Sequence, residues 1–176
     1  MKNIEVEVRA LISKDDFLRL KRFFGKKAKF LNHHRDETVY FDSDGRTRLR
    51  LEKNRSYFVH KSGRIHDRHR EELEINLKKF DFLPAQKFME FLGKPVVVRW
   101  IRERFVWKFN GLKVYLDNSK GYGRIFEIEA VVYPRDKEKS YQKMLEIFKS
   151  LNIKPTPREK IQKHYKHYLK NWQRLI

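Results

Sequence analysis

The stretch Ile4-Glu5-Val6-Glu7-Val8-Arg9-Ala10 alternates apolar and charged residues without a break. Side chains two apart share one face of an extended chain. Glu5, Glu7 and Arg9 therefore stand on one side of a strand, and Ile4, Val6, Val8 and Ala10 on the other. Two carboxylates beside a cation suit a divalent ion together with one oxygen of a phosphate. A strand with an ordinary solvated face meets the same pattern, so the rest of the chain has to be read with it.

Working outward, the same parity recurs. Arg48 and Arg50 share a face in the segment 46–53, opposite Leu49 and Leu51. Glu72 and Glu74 oppose Leu73, Ile75 and Leu77. Arg102 and Arg104 oppose Phe105 and Trp107 in a long strand over 96–109. Glu127 and Glu129 oppose Phe126, Ile128 and Ala130 over 125–133. Further strands are expected at 38–42, 56–61 and 112–118, with Asn110-Gly111 as a tight hairpin turn. That makes eight strands, largely antiparallel by their connections.

Four helices complete the reading. Ser13 caps the first, with Phe17, Leu20 and Phe24 inward and Gly25 as its stop. Asp81 caps a short second helix with Pro84 in its first turn and Phe88, Phe91 and Leu92 inward. The third carries a stripe of Tyr141, Met144, Leu145, Phe148 and Leu151. Thr156-Pro157-Arg158-Glu159 reads as a capping box opening the fourth, whose stripe is Ile161, Tyr165, Tyr168, Leu169 and Trp172. The basic segment from Ser62 to Arg70 reads as a loop.

Helices need an apolar sheet face to cover. If the sheet closes on itself, the charged face becomes its lining, stable only when wet, ion-paired or filled by ligand and metal. Arginines there would bind phosphate oxygens, and carboxylates would tolerate a phosphate only across a divalent cation. Periodicity alone favours the solvated face over the closed lining.

Composition narrows the class. The 176 residues, 40% hydrophobic and 14% aromatic, suit one domain over residues 1–176 with its own core. Cysteine is absent, which removes disulfides and thiolate chemistry. With neither a signal-like segment nor a membrane span, a cytoplasmic protein is expected. The net charge of +19 favours polyanionic partners, so nucleic acid is permitted without being required. Six of the seven histidines, His33, His34, His66, His69, His164 and His167, sit in polar contexts and read as surface residues rather than metal ligands. Tyr40, Tyr57 and Tyr115 are available for stacking on a base. Monomer and homodimer stay open.

Taken together, these segments resemble one family. Glu5-Val6-Glu7-Val8-Arg9 resembles the ExExK signature of the CYTH superfamily, the triphosphate tunnel metalloenzymes that include adenylyl cyclases and thiamine triphosphatases. Tyr40-Phe41-Asp42 with Arg48-Leu49-Arg50 resembles its YFD and LRxR segment. Glu72-Leu73-Glu74 resembles its central ExE. Arg102-Glu103-Arg104, Leu116-Asp117 and Gly121 through Glu129 resemble its KxR, LD and GLGxFxEIE block. Ile161-Gln162-Lys163-His164-Tyr165 is similar to its closing helix.

The resemblance implies an α+β fold: an eight-stranded antiparallel β-barrel, or tunnel, with a charged interior covered by helices. It implies Mg²⁺ or Mn²⁺ held by Glu5, Glu7, Glu72, Glu74, Asp117, Glu127 and Glu129. It implies phosphates bound by Arg9, Arg48, Arg50, Lys61, Arg102, Arg104 and Lys163. Glu7, Arg9, Lys61 and Glu129 would be catalytic. The implied activity is hydrolysis of tripolyphosphate, thiamine triphosphate or a nucleoside triphosphate. A class IV adenylyl cyclase and a non-catalytic polyphosphate- or RNA-binding module are the alternatives. Two residues depart from the pattern: Arg9 stands for the signature lysine and Thr47 for the leucine of LRxR.

Overall fold

The computed structural model describes residues 4–42, 47–61 and 72–176; the side chains of Lys61 and Glu72 lie outside that description. The Ser62–Arg70 segment also falls outside it. Eight strands and four helices follow the expected order. The strands are β1 (Ile4–Ile12), β2 (Lys29–Phe41), β3 (Thr47–Leu51), β4 (Arg55–Lys61), β5 (Glu72–Lys78), β6 (Val96–Phe109), β7 (Leu112–Ser119) and β8 (Gly123–Val132). The helices are α1 (Lys14–Lys27), α2 (Phe82–Phe91), α3 (Lys137–Ser150) and α4 (Arg158–Leu175). The strands form one eight-stranded antiparallel sheet, ordered β1-β8-β7-β6-β2-β3-β4-β5. The chain divides into two compact units, one of residues 1–33 and 103–168, the other of residues 34–102 and 169–176.

In the first unit, alternation in β1 does what the sequence predicts. Val6, Val8 and Ala10 are buried, while Glu5 and Glu7 are exposed. The apolar face joins Phe24, Trp107, Phe126 and Phe148 in a core that also takes Leu20 of α1 and Met144 of α3. Each such side chain contributes roughly 1.5–3 kcal/mol by leaving water. Ser13 caps α1 by accepting from the Asp16 N–H at 3.0 Å. Asn110 and Gly111 both take positive φ, 51° and 84°, as the two-residue β6–β7 hairpin requires.

In the second unit a smaller core gathers Val39, Phe41, Leu49 and Phe82. Trp172 of α4 donates its indole N–H to the Val97 carbonyl at 2.9 Å.

Several local expectations need correction. Gly25 does not stop α1; the helix runs on to Lys27, where the Ala28 N–H bonds the Phe24 carbonyl at 2.9 Å. Without a left-handed φ, glycine is only a weak helix residue. Phe88 and Phe91 of α2, and Leu92 just past its end, point outward, 60%, 88% and 58% exposed. The inward residues are Phe82, Ala85 and Met89. A helix with apolar residues on several sides does not declare its buried face by periodicity. Tyr141 is exposed, and Ile147 takes the inward place on α3. Of the α4 stripe only Tyr168 is buried. The Thr156 hydroxyl is used by β1, accepting from the Leu11 N–H at 2.9 Å, while the Thr156 N–H donates to the Arg9 carbonyl at 3.0 Å. Leu73 and Ile75 of β5 are half-exposed rather than covered.

Candidate functional site

The charged residues of the first unit lie on β1, β8 and β7 in fixed register. Glu7 stands opposite Glu129, and Arg9 opposite Glu127. On the other side of β8, Lys113 is opposite Glu129 and Tyr115 opposite Glu127. Because pairing fixes which Cβ atoms meet, the sequence pattern itself builds a compact acidic–basic cluster.

Arg9 bridges its neighbours: its guanidinium bonds the Glu7 carboxylate and lies 3.3 Å from Glu127. Its Nε is buried without a partner. The Glu127 carboxyl is raised to about 7 overall: burial pushes it up most, Arg9 opposes that, and Glu7 adds to it. The Glu5 carboxyl is also raised, by burial first and then by Glu129 and Glu7, and it shares a hydrogen bond with Glu129. Tyr115 donates its hydroxyl to Glu129 Oε1 at 2.6 Å. Burial and then that bond hold the phenol well above its usual range. Arg104 lies over the Tyr115 ring, 4.6 Å from its centroid, and grips Asp117 with two hydrogen bonds of 2.7 and 2.6 Å.

Beside this cluster, a cavity of about 600 Å³ is lined by Glu7, Arg9, Tyr141, Thr156, Arg158 and Gln162. Tyr122, in the β7–β8 turn, is buried against Tyr168 of α4, and its carbonyl bonds His164 at 2.6 Å. Lys163, the helix residue implicated by resemblance, is exposed on α4, and its side chain makes no described bond to the cluster.

The second unit holds the remaining arginines. Thr38, Arg50 and Tyr57 stand side by side across β2, β3 and β4. Arg50 donates to the Thr38 hydroxyl at 3.2 Å and to the Tyr57 hydroxyl at 3.3 Å. Asp36, 5% exposed, takes two 3.0 Å hydrogen bonds from Arg102 and lies 3.7 Å from Arg50. Arg48 differs: its Nε is buried without a partner, and among the described residues its guanidinium has neither hydrogen bond nor ion pair. Glu74 pairs with Arg55 at 3.2 Å and is partly exposed. Lys61 and Glu72 stand opposite each other in the β4–β5 register. Thr47 bonds His60 at 2.8 Å, so it exchanges the family leucine's packing for a polar contact.

The structure thus brings Glu5, Glu7, Arg9, Glu127 and Glu129 together, with Arg104 and Asp117 forked beside Tyr115. It gathers Arg50 and Arg102 around Asp36. Asp36 was missed because the sequence reading began that strand at Thr38; the strand starts at Lys29. The available signal was parity, since Asp36, Thr38 and Tyr40 share a face.

Among the described residues, no three His, Cys, Asp or Glu side chains converge as a ligand set. The donor chemistry nevertheless fits Mg²⁺ or Mn²⁺. Glu7 stands directly opposite Glu129, a like-charge pair that Arg9 relieves at Glu7 and that Tyr115 and Lys113 relieve at Glu129. Carboxylate oxygens are the donors hard divalent ions take.

Comparison with known proteins identifies the family and the fold. A Methanocaldococcus jannaschii protein described as a proposed adenylate cyclase is 28% identical over 164 residues, covering 85% of this chain and 90% of that one. A conserved hypothetical protein from Pyrococcus furiosus superposes with a TM-score of 0.64 at 27% identity, covering 88% of this chain and 96% of its own. A Hippeastrum protein, described as a proposed adenylyl cyclase with a dominant triphosphatase activity, shares the fold with a TM-score of 0.61 at 17% identity, covering 90% and 94% of the two chains. The CYTH domain model matches residues 3–165, and the chain belongs to the CYTH domain family.

Proposed function

We propose that this protein hydrolyses a triphosphate substrate with the help of Mg²⁺ or Mn²⁺. The observation that carries the reading is Arg48, a partly buried guanidinium with an orphaned Nε and no counter-ion among the described residues. A buried cation is expensive unless paired, so such a residue calls for an anion from outside the chain. Arg9 differs from Arg48: its Nε is also buried without a partner, but its guanidinium is already paired with Glu7 and Glu127.

In this reading Arg9, Arg48, Arg50, Lys61, Arg102, Arg104 and Lys163 bind phosphate oxygens. Glu5, Glu7, Glu127 and Glu129 hold the divalent ion, with Glu72, Glu74 and Asp117 as the remaining carboxylates of the family pattern. The ion would supply charge neutralisation at the phosphate oxygens. Asp117 has a further role visible in its fork with Arg104: it orients that guanidinium. Arg9 draws Glu7 and Glu127 together, and anionic substrate would compete for its donors. The partner is a triphosphate-bearing small molecule or polyphosphate. No described helix is long and apolar enough to cross a membrane.

A second reading, cyclisation of ATP, is favoured by the description of the Methanocaldococcus relative. One assay separates the two. Phosphate release from tripolyphosphate, thiamine triphosphate and ATP is measured with Mg²⁺ and with Mn²⁺, beside cyclic AMP formation from ATP. Phosphate release without cyclic AMP is the expected result. Cyclic AMP as the main product of ATP, or no turnover of any of the three, would overturn the hydrolase reading.

A further inference from the structure

A cleft of about 780 Å³ opens at the end of the β7–β8 pair, outside the cluster already described. Lys108 of β6, Lys113 of β7, and Lys139 and Lys143 of α3 line it, together with Glu129 and Val131. All four lysines are exposed. Lys113 stands opposite Glu129, with its ammonium 3.8 Å from Oε1, so the cleft begins at a carboxylate of the candidate site. Lys143 donates to the Asn110 carbonyl at 2.8 Å, which holds it over the β6–β7 hairpin. Lys108 and Lys139 have no described partner. The other acidic side chain of the lining, Asp136, lies 3.6 Å from Arg135. The cleft therefore carries an uncompensated positive charge that the triphosphate site does not use.

We infer that this cleft is an extension of the substrate site that takes the continuing chain of a linear inorganic polyphosphate, an inference that rests on the triphosphate reading above. Lysine ammonium groups are compact point charges with rotatable donors, suited to a flexible phosphate chain of no fixed geometry. Single-stranded nucleic acid is the other polyanion to weigh. Its binding surfaces combine basic residues with aromatic rings on which bases stack. The apolar lining here is aliphatic, from Leu31, Leu112, Ala130, Val131 and Val132, with no ring among it. A chain of phosphates without bases fits that lining better.

The test compares wild type, the triple variant Lys108→Ala/Lys139→Ala/Lys143→Ala, and Arg48→Ala. Lys113 is left intact because it pairs with Glu129. Binding of tripolyphosphate, of a linear polyphosphate several times longer, and of a single-stranded RNA oligonucleotide is measured at fixed ionic strength. Wild type should bind the longer chain more tightly than tripolyphosphate. The triple variant should lose roughly tenfold in affinity for the longer chain, about twofold to threefold per exposed ion pair, and keep its affinity for tripolyphosphate. Equal affinity for both chain lengths in wild type, or undiminished long-chain binding by the triple variant, would overturn the inference. So would RNA binding tighter than polyphosphate and equally sensitive to the three lysines. Arg48→Ala reports separately on the triphosphate reading: if it leaves tripolyphosphate binding unchanged, that reading fails, and lysine-dependent preference for the longer chain would still support the cleft.

Discussion

Replacing Asp36 with Asn tests how this chain holds its arginines. The substitution keeps the shape of a side chain that is 3% exposed and removes its charge. Two hydrogen bonds of 3.0 Å from Arg102 and the 3.7 Å approach of Arg50 depend on that charge. Asparagine retains one acceptor but turns an amide donor toward a guanidinium. Removing one partner of a fully buried pair costs about 3–5 kcal/mol. Arg102 and Arg50 keep 22% and 25% of their side-chain surface, so solvent recovers part of the loss. The expected destabilisation is roughly 2–3 kcal/mol, one to two charge-assisted hydrogen bonds. For a chain of this size it corresponds to a fall in Tm of about 4–12 °C. Urea denaturation of Asp36→Asn, Arg102→Gln and the double variant measures it. The double variant should be less destabilised than the sum of the singles, with a coupling of about 1.5–3 kcal/mol. A single variant within about 0.5 kcal/mol of wild type, together with negligible coupling, would refute the clamp.

Other outcomes follow from the same geometry. Arg48→Ala should weaken tripolyphosphate binding by roughly 1.5–3 kcal/mol, a loss of about 10- to 100-fold. It should leave the melting temperature unchanged or higher, since an unpaired cation is removed; unchanged affinity would discard Arg48 as a ligand. Glu7→Gln and Glu129→Gln should each lower metal-dependent phosphate release by about 10²-fold or more. Full activity in both would count against the metal assignment. Glu127 gives a pH signature. Its carboxyl, raised from 4.5 to about 7, keeps its proton in the folded state where the unfolded chain has released it. That contribution to stability is present below the unfolded value and lost as pH rises through about 7, at most ~3 kcal/mol for this shift. Glu127→Gln should therefore gain stability over wild type at about pH 8 and match it at about pH 4. Denaturation curves that stay parallel across that range would remove the assignment.

Local chemistry was legible in the sequence where it is short-ranged. The Ser13 cap is set by residues three apart, the Asn110-Gly111 turn by two adjacent residues, and the parity of β1 by strict alternation. The β6 span over 96–109 needed only its β-rich composition. What failed was what depends on a third dimension. The inward face of α2 is chosen by the core around Phe82, because the helix is apolar on several sides. Asp36 finds Arg102 across 66 residues of chain, and nothing local announces the pair. The Thr156 hydroxyl has the right position for a cap but bonds β1, 145 residues away, instead.

The arginines that the sequence grouped by parity alone fall into two physical kinds. Arg102 and Arg104 follow each other on one face of β6, and each is forked by a buried aspartate, Asp36 for one and Asp117 for the other. A two-point fork fixes the plane of a guanidinium, whereas a lysine would keep a single contact and lose that plane. These two are braced, and substituting them disturbs the fold before it reports on ligand. Arg48 has the opposite character: it stands between Tyr40 and Val59 in its register, with no carboxylate directly opposite. A cation left without a brace gains most from an arriving anion. Affinity measured at Arg48 therefore reads the ligand, while stability measured at Arg102 and Arg104 reads the scaffold. An identical loss of both properties at all three positions would mean that this division, and the anion-binding role built on it, is wrong.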